Sequence, residues 1–174
     1  TFVAEPRIAY RLEELHSLAD DLRAQGLTVD TTVVSRGMRR TTQLPSERAL
    51  RLERIRRLAG RPAIHQVSWV AEPYGSRLLD VDFAYTSLYS ALAELDVVVH
   101  RASERLRPAL LAKPVAEMLG ETTGTAVFVS ERTTYGLDEA PVVFDRATIL
   151  GDVMEIRTER AATKVSLRWG RATA

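Results

Sequence analysis

One stretch limits the folds open to this chain more than any other: Leu50-Arg51-Leu52-Glu53-Arg54-Ile55-Arg56-Arg57-Leu58-Ala59-Gly60-Arg61-Pro62-Ala63-Ile64-His65-Gln66-Val67-Ser68-Trp69. It reads as two strands around a Gly-containing turn at Ala59-Gly60-Arg61. Side chains alternate faces along a strand, so Leu52, Arg54, Arg56 and Leu58 share one face. A three-residue turn sets position 58 opposite 62 and Arg54 opposite Gln66. Two guanidiniums two residues apart, with an amide across from one of them, suit the clamping of a phosphate or carboxylate. The planar fork of arginine bonds an oxyanion bidentately. A solvated Arg-rich strand face has the same pattern, and spacing alone leaves both readings open.

The chain has 174 residues, enough for one domain with a real core. Its 45% hydrophobic and 27% charged residues are globular values. A net charge of +1 is too small to argue for wholesale wrapping of nucleic acid. The absence of cysteine excludes a disulfide framework, a Cys-ligated zinc and a thiol nucleophile. No apolar run approaches the roughly 20 residues of a membrane helix, and no signal peptide is visible. A soluble intracellular domain is therefore expected, with no membrane partner. Because the first residue is Thr, the chain is expected to be a piece of something longer.

Along the chain, Thr1–Val3 reads as a strand end before Glu5-Pro6, since the residue preceding proline favours extended geometry. Leu12, Leu15, Leu18 and Leu22 carry helical spacing over residues 9–25, with Ser17 as a candidate internal N-cap and Gly26 as the stop. Leu27–Val34 is rich in β-branched residues and predicts a strand, whereas Arg36–Ser46 holds Gly37 and Pro45 and reads as a connection. After the Arg-rich hairpin, residues 71–75 form a turn. A helix starting near Thr86 or Ser87 buries Leu88, Ala91, Leu92 and Leu95. Val97–Leu106 is extended and Pro108 closes it; Lys113–Leu119 is a short helix between Pro114 and Gly120. Thr125–Tyr135 and Pro141–Ile149 make a second hairpin, followed by weaker strands at Met154–Thr158 and Val165–Trp169. The expected class is α+β: an antiparallel β-sheet flanked by short helices. No glycine-rich phosphate loop is present.

His16, His65 and His100 are scattered and lack the spacing of a helical metal site, so no metal is expected. Ser17, Ser87 and Ser130 lie outside any Gly-x-Ser-x-Gly elbow, so no catalytic nucleophile is expected. Thr86-Ser87-Leu88-Tyr89 reads equally well as a plain N-cap or as a helix terminus that helps hold an anion. On the last hairpin strand Val143, Asp145, Ala147 and Ile149 share a face, opposite Val142, Phe144, Arg146 and Thr148. The Phe144 face is expected to be core, with Asp145 on a pocket wall or pairing with an arginine at the rim.

These signals form an ordered set: Ser17–Gly26, Arg54–Pro62, Ser87-Leu88-Tyr89, Glu131–Tyr135, Pro141-Val142 and Gly151-Asp152. That succession resembles the UTRA domain, the effector-binding half of HutC-subfamily regulators in the GntR family, over roughly residues 10–160. Residues 1–9 resemble the end of the winged-helix wing and linker that precede such domains, leaving 10–163 as the effector-binding and dimerisation domain and 164–174 as a tail. The resemblance implies a chorismate-lyase-like fold, a homodimer, a cytoplasmic regulator and no cofactor. It also implies a small anionic metabolite as effector, often a phosphorylated sugar. Operator DNA would be read by a winged helix-turn-helix absent from this chain. Carried over residue by residue, Ser17, Leu18 and Ala19 match the loop that cradles the anion. Arg54 and Arg56 match the paired arginines, and Ser87 and Tyr89 the helix-terminus contacts.

Amino-sugar-phosphate sensors of that family carry a glutamate where this chain has Gln66, another at Val143, and a tyrosine at Ile149. The resemblance therefore implies a ligand less polar at its far end, with Asp145 taking over the carboxylate role. Asp145 lies two residues along the same strand face, a displacement of roughly 7 Å. The alternatives are a small lyase-like enzyme and a ligand-free assembly module in which Arg54 and Arg56 bridge subunits.

Overall fold

A computed structural model describes residues 8–10 and 18–156 of the 174. In chain order the elements are β1 (Ile8–Tyr10), α1 (Leu18–Ala24), β2 (Val29–Arg40), β3 (Arg48–Leu58), β4 (Arg61–Ala71), α2 (Tyr74–Arg77), α3 (Leu88–Ala93), β5 (Val99–Leu110), α4 (Lys113–Leu119), β6 (Ala126–Gly136), β7 (Pro141–Leu150) and β8 (Met154–Ile156). Six strands make one antiparallel sheet in the order β2-β3-β4-β7-β6-β5, while β1 and β8 form a separate parallel pair. Each half of the sheet is a meander, and the β4–β7 ladder joins them, with Ser68 opposite Asp145 and Gln66 opposite Ala147. The expected α+β class with short flanking helices is what the chain adopts.

Alternation along the strands gives the sheet two unlike faces. One face meets α1 and α3: Leu18 and Leu22 pack into a cluster with Leu58, Ile64 and Ile149, and Leu88, Ala91 and Leu92 into another with Leu50, Leu52 and Val143. The polar side chains Arg54, Arg56, Gln66, Ser68 and Asp145 are buried with them. On the opposite face Val115 of α4 shares a cavity with His65, Val67, Val129 and Thr148. The sharp approach of α2 requires a glycine, because a Cβ at Gly75 would sit 2.6 Å from the Val70 carbonyl oxygen.

Local signals place the helices. Ser87 caps α3 by accepting from the Ser90 amide, Pro114 opens α4, and Gly120 ends it at φ +69°. Gly26 closes α1 at φ +79°, with Leu27 N–H returning to the Leu22 carbonyl.

Several sequence expectations need correction. The helix expected from residue 9 begins only at Leu18 among the described residues, and Ala9 and Tyr10 pair with Glu155 and Ile156. Arg36–Arg40 is not a connection: β2 continues through Gly37, opposite Arg51, after a bulge between Val33 and Ser35. A hairpin partner supplied the ladder that outweighed the weak strand propensity of that segment. Pro108 does not end β5, because β5 is an edge strand, where a missing N–H leaves no inner ladder bond unmade. The hairpin loop is two residues, Ala59-Gly60 at φ +49° and +83°, rather than three. A one-residue bulge at Ala63 restores the expected pairing of Arg54 with Gln66. The faces of β7 are also reversed. Val143, Asp145, Ala147 and Ile149 are all buried, whereas Phe144 is half-buried on the opposite face beside Trp69, Leu44, Ala49 and Ala71. The expected strands at Thr1–Val3 and Val165–Trp169, the Ser17 cap and the tail from residue 164 lie outside the described residues.

On the face away from α1 and α3, Glu53 accepts from Arg51 Nη1 and Ser35 Oγ, each at 2.9 Å, and meets His65 Nε2 at 2.8 Å. The Arg51 bond above all, with those of His65 and Ser35, holds the Glu53 carboxyl at about 2 against an ordinary 4.5, although burial opposes the shift. A carboxyl lowered on folding stabilises the native state above its unfolded pKa, and that stability is lost as pH falls through the folded value. Between pH 4.5 and 2, Glu53 is expected to account for a loss of about 2 kcal/mol, after allowance for water at the sheet surface. Urea titrations at stepped pH check this: Glu53→Gln should flatten that limb, and an unchanged acid slope would remove Glu53 from the account.

Candidate functional site

The polar residues of the covered face converge where the two halves of the sheet meet. β3 contributes Arg54 and Arg56, β4 Gln66 and Ser68, β6 Ser130 and Arg132, and β7 Asp145 and Ala147. Leu18 at the start of α1 and Leu88 and Tyr89 at the start of α3 close over them. All but Ser68 line a narrow cavity of about 20 Å³, near the size that holds one water molecule.

Asp145 organises the cluster. Its Oδ1 accepts from Ser68 Oγ at 2.5 Å and from Gln66 Nε2 at 3.0 Å. Ser68 Oγ in turn accepts from Arg54 Nη2 at 2.6 Å, so one hydroxyl links the guanidinium to the carboxylate. Gln66 Oε1 accepts from Arg56 Nε at 3.0 Å and Nη2 at 2.8 Å, and Thr31 Oγ1 accepts from Arg56 Nη1 at 3.0 Å. The amide of Gln66 thus faces both ways: its oxygen holds Arg56 and its nitrogen holds Asp145. Beyond them Arg132 Nη2 donates to Glu104 Oε2 at 3.1 Å, and Ser130 Oγ donates to Glu104 Oε1. Tyr89 Oη hydrogen-bonds Thr134 Oγ1 at 2.7 Å.

Charge in this cluster is unbalanced. Arg54 is 1% exposed, Arg56 4% and Asp145 8%, so two buried cations share one buried anion. Arg54 Nε is buried without a hydrogen-bond partner. Burial pushes the Arg54 guanidinium down to about 10, against the pull of Asp145. Burial, then the neighbouring Arg54 charge, pushes Arg56 well below its ordinary value. Burial, then Asp145, pushes the Tyr89 phenol up. A buried charge without a partner is costly. An anion beside Arg54 and Arg56 offsets their mutual repulsion and part of the cost of burying them.

Of the residues singled out in the sequence, Leu18, Arg54, Arg56, Gln66, Tyr89 and Asp145 come together at this cavity. Ala19 is buried beside Leu18 without lining it, and Ser87 stands just outside, its hydroxyl engaged with the Ser90 amide and hydroxyl. Ser17 lies outside the described residues. Sequence reasoning missed Ser68, Ser130, Arg132, Leu88 and Ala147 as site residues. Alternation from Gln66 would have flagged Ser68, since both face Asp145. The expected β6–β7 hairpin already brings Ser130 and Arg132 near Asp145, but their places opposite Ala147 and Asp145 follow from a register shift between Thr134 and Tyr135 that no neighbouring residue signals.

The fold is that of transcription-regulator effector domains. It superposes on PhnF from Mycobacterium smegmatis with a TM-score of 0.81 at 22% identity, covering 92% of this chain and 74% of that one. The effector domain of that PhnF gives 0.77 at 21% identity, covering 84% and 95%. The C-terminal domain of the histidine utilization repressor from Pseudomonas syringae pv. tomato gives 0.70 at 14% identity, covering 77% and 99%. A GntR-family regulator from Enterococcus faecalis is also similar, with a TM-score of 0.66 at 18% identity over 75% and 99% of the two chains. Residues 18–155 match the UTRA domain model, and the chain belongs to the UTRA domain family.

Proposed function

We propose that this chain is the ligand-sensing and dimerisation part of a cytoplasmic GntR-family transcriptional regulator of the HutC subfamily. It binds a small anionic metabolite, such as a phosphorylated sugar, under α1 and α3, which must part to admit it because the cavity between them holds about one water molecule. Residues 10–163 form the sensing domain, residues 1–9 end the wing and linker of a DNA-reading domain outside this chain, and two copies associate. The observation that carries the reading is the pair of buried guanidiniums at Arg54 and Arg56, with Asp145 as the one buried carboxylate beside them among the described residues. A structural ion cluster is expected to balance its charges, whereas a binding site holds its surplus for the ligand. Engagement of Asp145 Oδ1 by Ser68 and Gln66 favours binding over acid–base chemistry, and so favours a sensor over an enzyme.

Leu18 links the site to the rest of the regulator, since it touches the cavity and stands eight residues after the β1 strand. Ligand that displaces α1 from its place over the cluster biases the path of the chain toward the DNA-reading domain, and with it the spacing of two reading heads.

A thermal-unfolding screen against sugar phosphates, phosphonates, organic acids and inorganic phosphate tests this reading. A ligand at a hundred times its dissociation constant adds about 2.7 kcal/mol of stability. The expected result is a clear rise in Tm with at least one phosphorylated compound. Silence across the panel from folded, dimeric protein would favour an assembly module.

A further inference from the structure

A second cavity, of about 400 Å³, lies on the opposite face of the same two central strands. Its floor is mainly apolar, formed by Val67, Val127 and Val129 with His65 and Thr148 among them, and Val115 of α4 overhangs it. Arg107 and Arg146 stand at its rim. Both guanidiniums turn to one oxygen, Glu131 Oε1, at 3.7 and 3.9 Å, beyond hydrogen-bonding distance. The rim therefore carries one surplus positive charge, on side chains whose donors are not engaged by Glu131. The volume falls within the range that takes small organic ligands, and apolar walls with a few polar groups are the usual lining of such sites.

We propose that this cavity is a second ligand site, and that it takes a small amphiphilic monoanion: a carboxylate on a hydrocarbon body. The hydrocarbon lies on the valine floor under α4, and the carboxylate binds between Arg107 and Arg146 as the acceptor that Glu131 is too distant to be. One surplus charge matches a carboxylate better than a phosphate dianion, and the valines of the floor suit a hydrocarbon body better than a sugar. The two sites stand back to back. Val67 follows Gln66 along β4, and Arg146 follows Asp145 along β7, so each strand presents one residue to either cavity.

Calorimetric titration of the whole chain with octanoate tests the proposal, with octanol and octylammonium as controls. Octanoate is expected to bind, octanol at least tenfold more weakly, and octylammonium not at all. Arg107→Gln with Arg146→Gln, both at exposed positions, should weaken octanoate at least tenfold with Tm unchanged. Arg54→Ala should leave octanoate binding intact, which separates this site from the one under α1 and α3. No heat with octanoate from folded protein would overturn the site, as would equal binding of octanol, or loss of binding in Arg54→Ala. Sedimentation equilibrium run alongside covers the remaining case. If octanoate does not bind and the double arginine variant changes the oligomeric state, the face is an interface between copies and the proposal fails.

Discussion

Replacing Asp145 by alanine is expected to destabilise the fold by about 3–5 kcal/mol, the range for removing one partner from a buried charge cluster. Asp145 is 8% exposed and is the anion nearest two guanidiniums that are themselves almost wholly buried. Its loss also leaves Ser68 Oγ and Gln66 Nε2 without their acceptor. For a chain of this length the drop corresponds to a fall in Tm of about 6–20 °C. Asp145→Asn separates charge from hydrogen bonding, because its side-chain oxygen still accepts from Ser68 and Gln66. Its Tm should lie between those of the alanine variant and the parent. Added inorganic phosphate should raise the Tm of Asp145→Ala more than that of the parent, since an anion near the arginines replaces the missing charge. Differential scanning calorimetry reads all three. A variant melting within a degree of the parent would show the carboxylate to be dispensable. A large fall in Tm with effector affinity unchanged would make Asp145 a counter-ion, and would end the idea that it contacts the ligand.

Arg54→Ala is expected to weaken the effector by about 1.5–3 kcal/mol, the loss typical of a hydrogen bond to a charged group. That is roughly a 10- to 150-fold rise in dissociation constant. Arg54 is the stronger choice over Arg56 because its Nε is buried without a partner, whereas Arg56 is already held by Gln66 and Thr31. The substitution also frees Asp145 from one cation, so Tm without ligand must be measured beside affinity. Arg54→Lys retains the charge but not the planar fork, and should recover only part of the binding. Unchanged effector affinity in Arg54→Ala, with the protein folded, would remove Arg54 from the site.

Local rules carried far along this chain. The Ser87 cap, the Pro114 start and the Gly120 and Gly26 stops each appear where the residue chemistry puts them. Those signals act within one turn of helix, so a single sequence reveals them. The pairing of Arg54 with Gln66 was legible too, although by a route that differed in detail. A tighter loop and a bulge at Ala63 add up to the register that a three-residue turn would give. Gly37 and Pro108 misled for the opposite reason. Each is a poor strand residue, but β2 had a hairpin partner and β5 sits at an edge, and neither circumstance is written in the neighbouring residues.

The orientation of β7 marks the boundary most clearly. By composition Phe144 belongs inside and Asp145 on a pocket wall or at a rim, yet Asp145 is buried and Phe144 only half-buried on the other face. The alternation itself was readable; which face turned inward was not. That choice depended on β7 lying against β4, where Asp145 meets Ser68 and Gln66 and stands near Arg54. The sequence alone thus determined the helix ends, the two hairpins and the arginine pair, because these rest on contacts between near neighbours. The tertiary structure decided which carboxylate answers the arginines and set the β6–β7 hairpin, with Ser130 and Arg132, beside β3 and β4, because those contacts cross the β4–β7 ladder between strands some eighty residues apart.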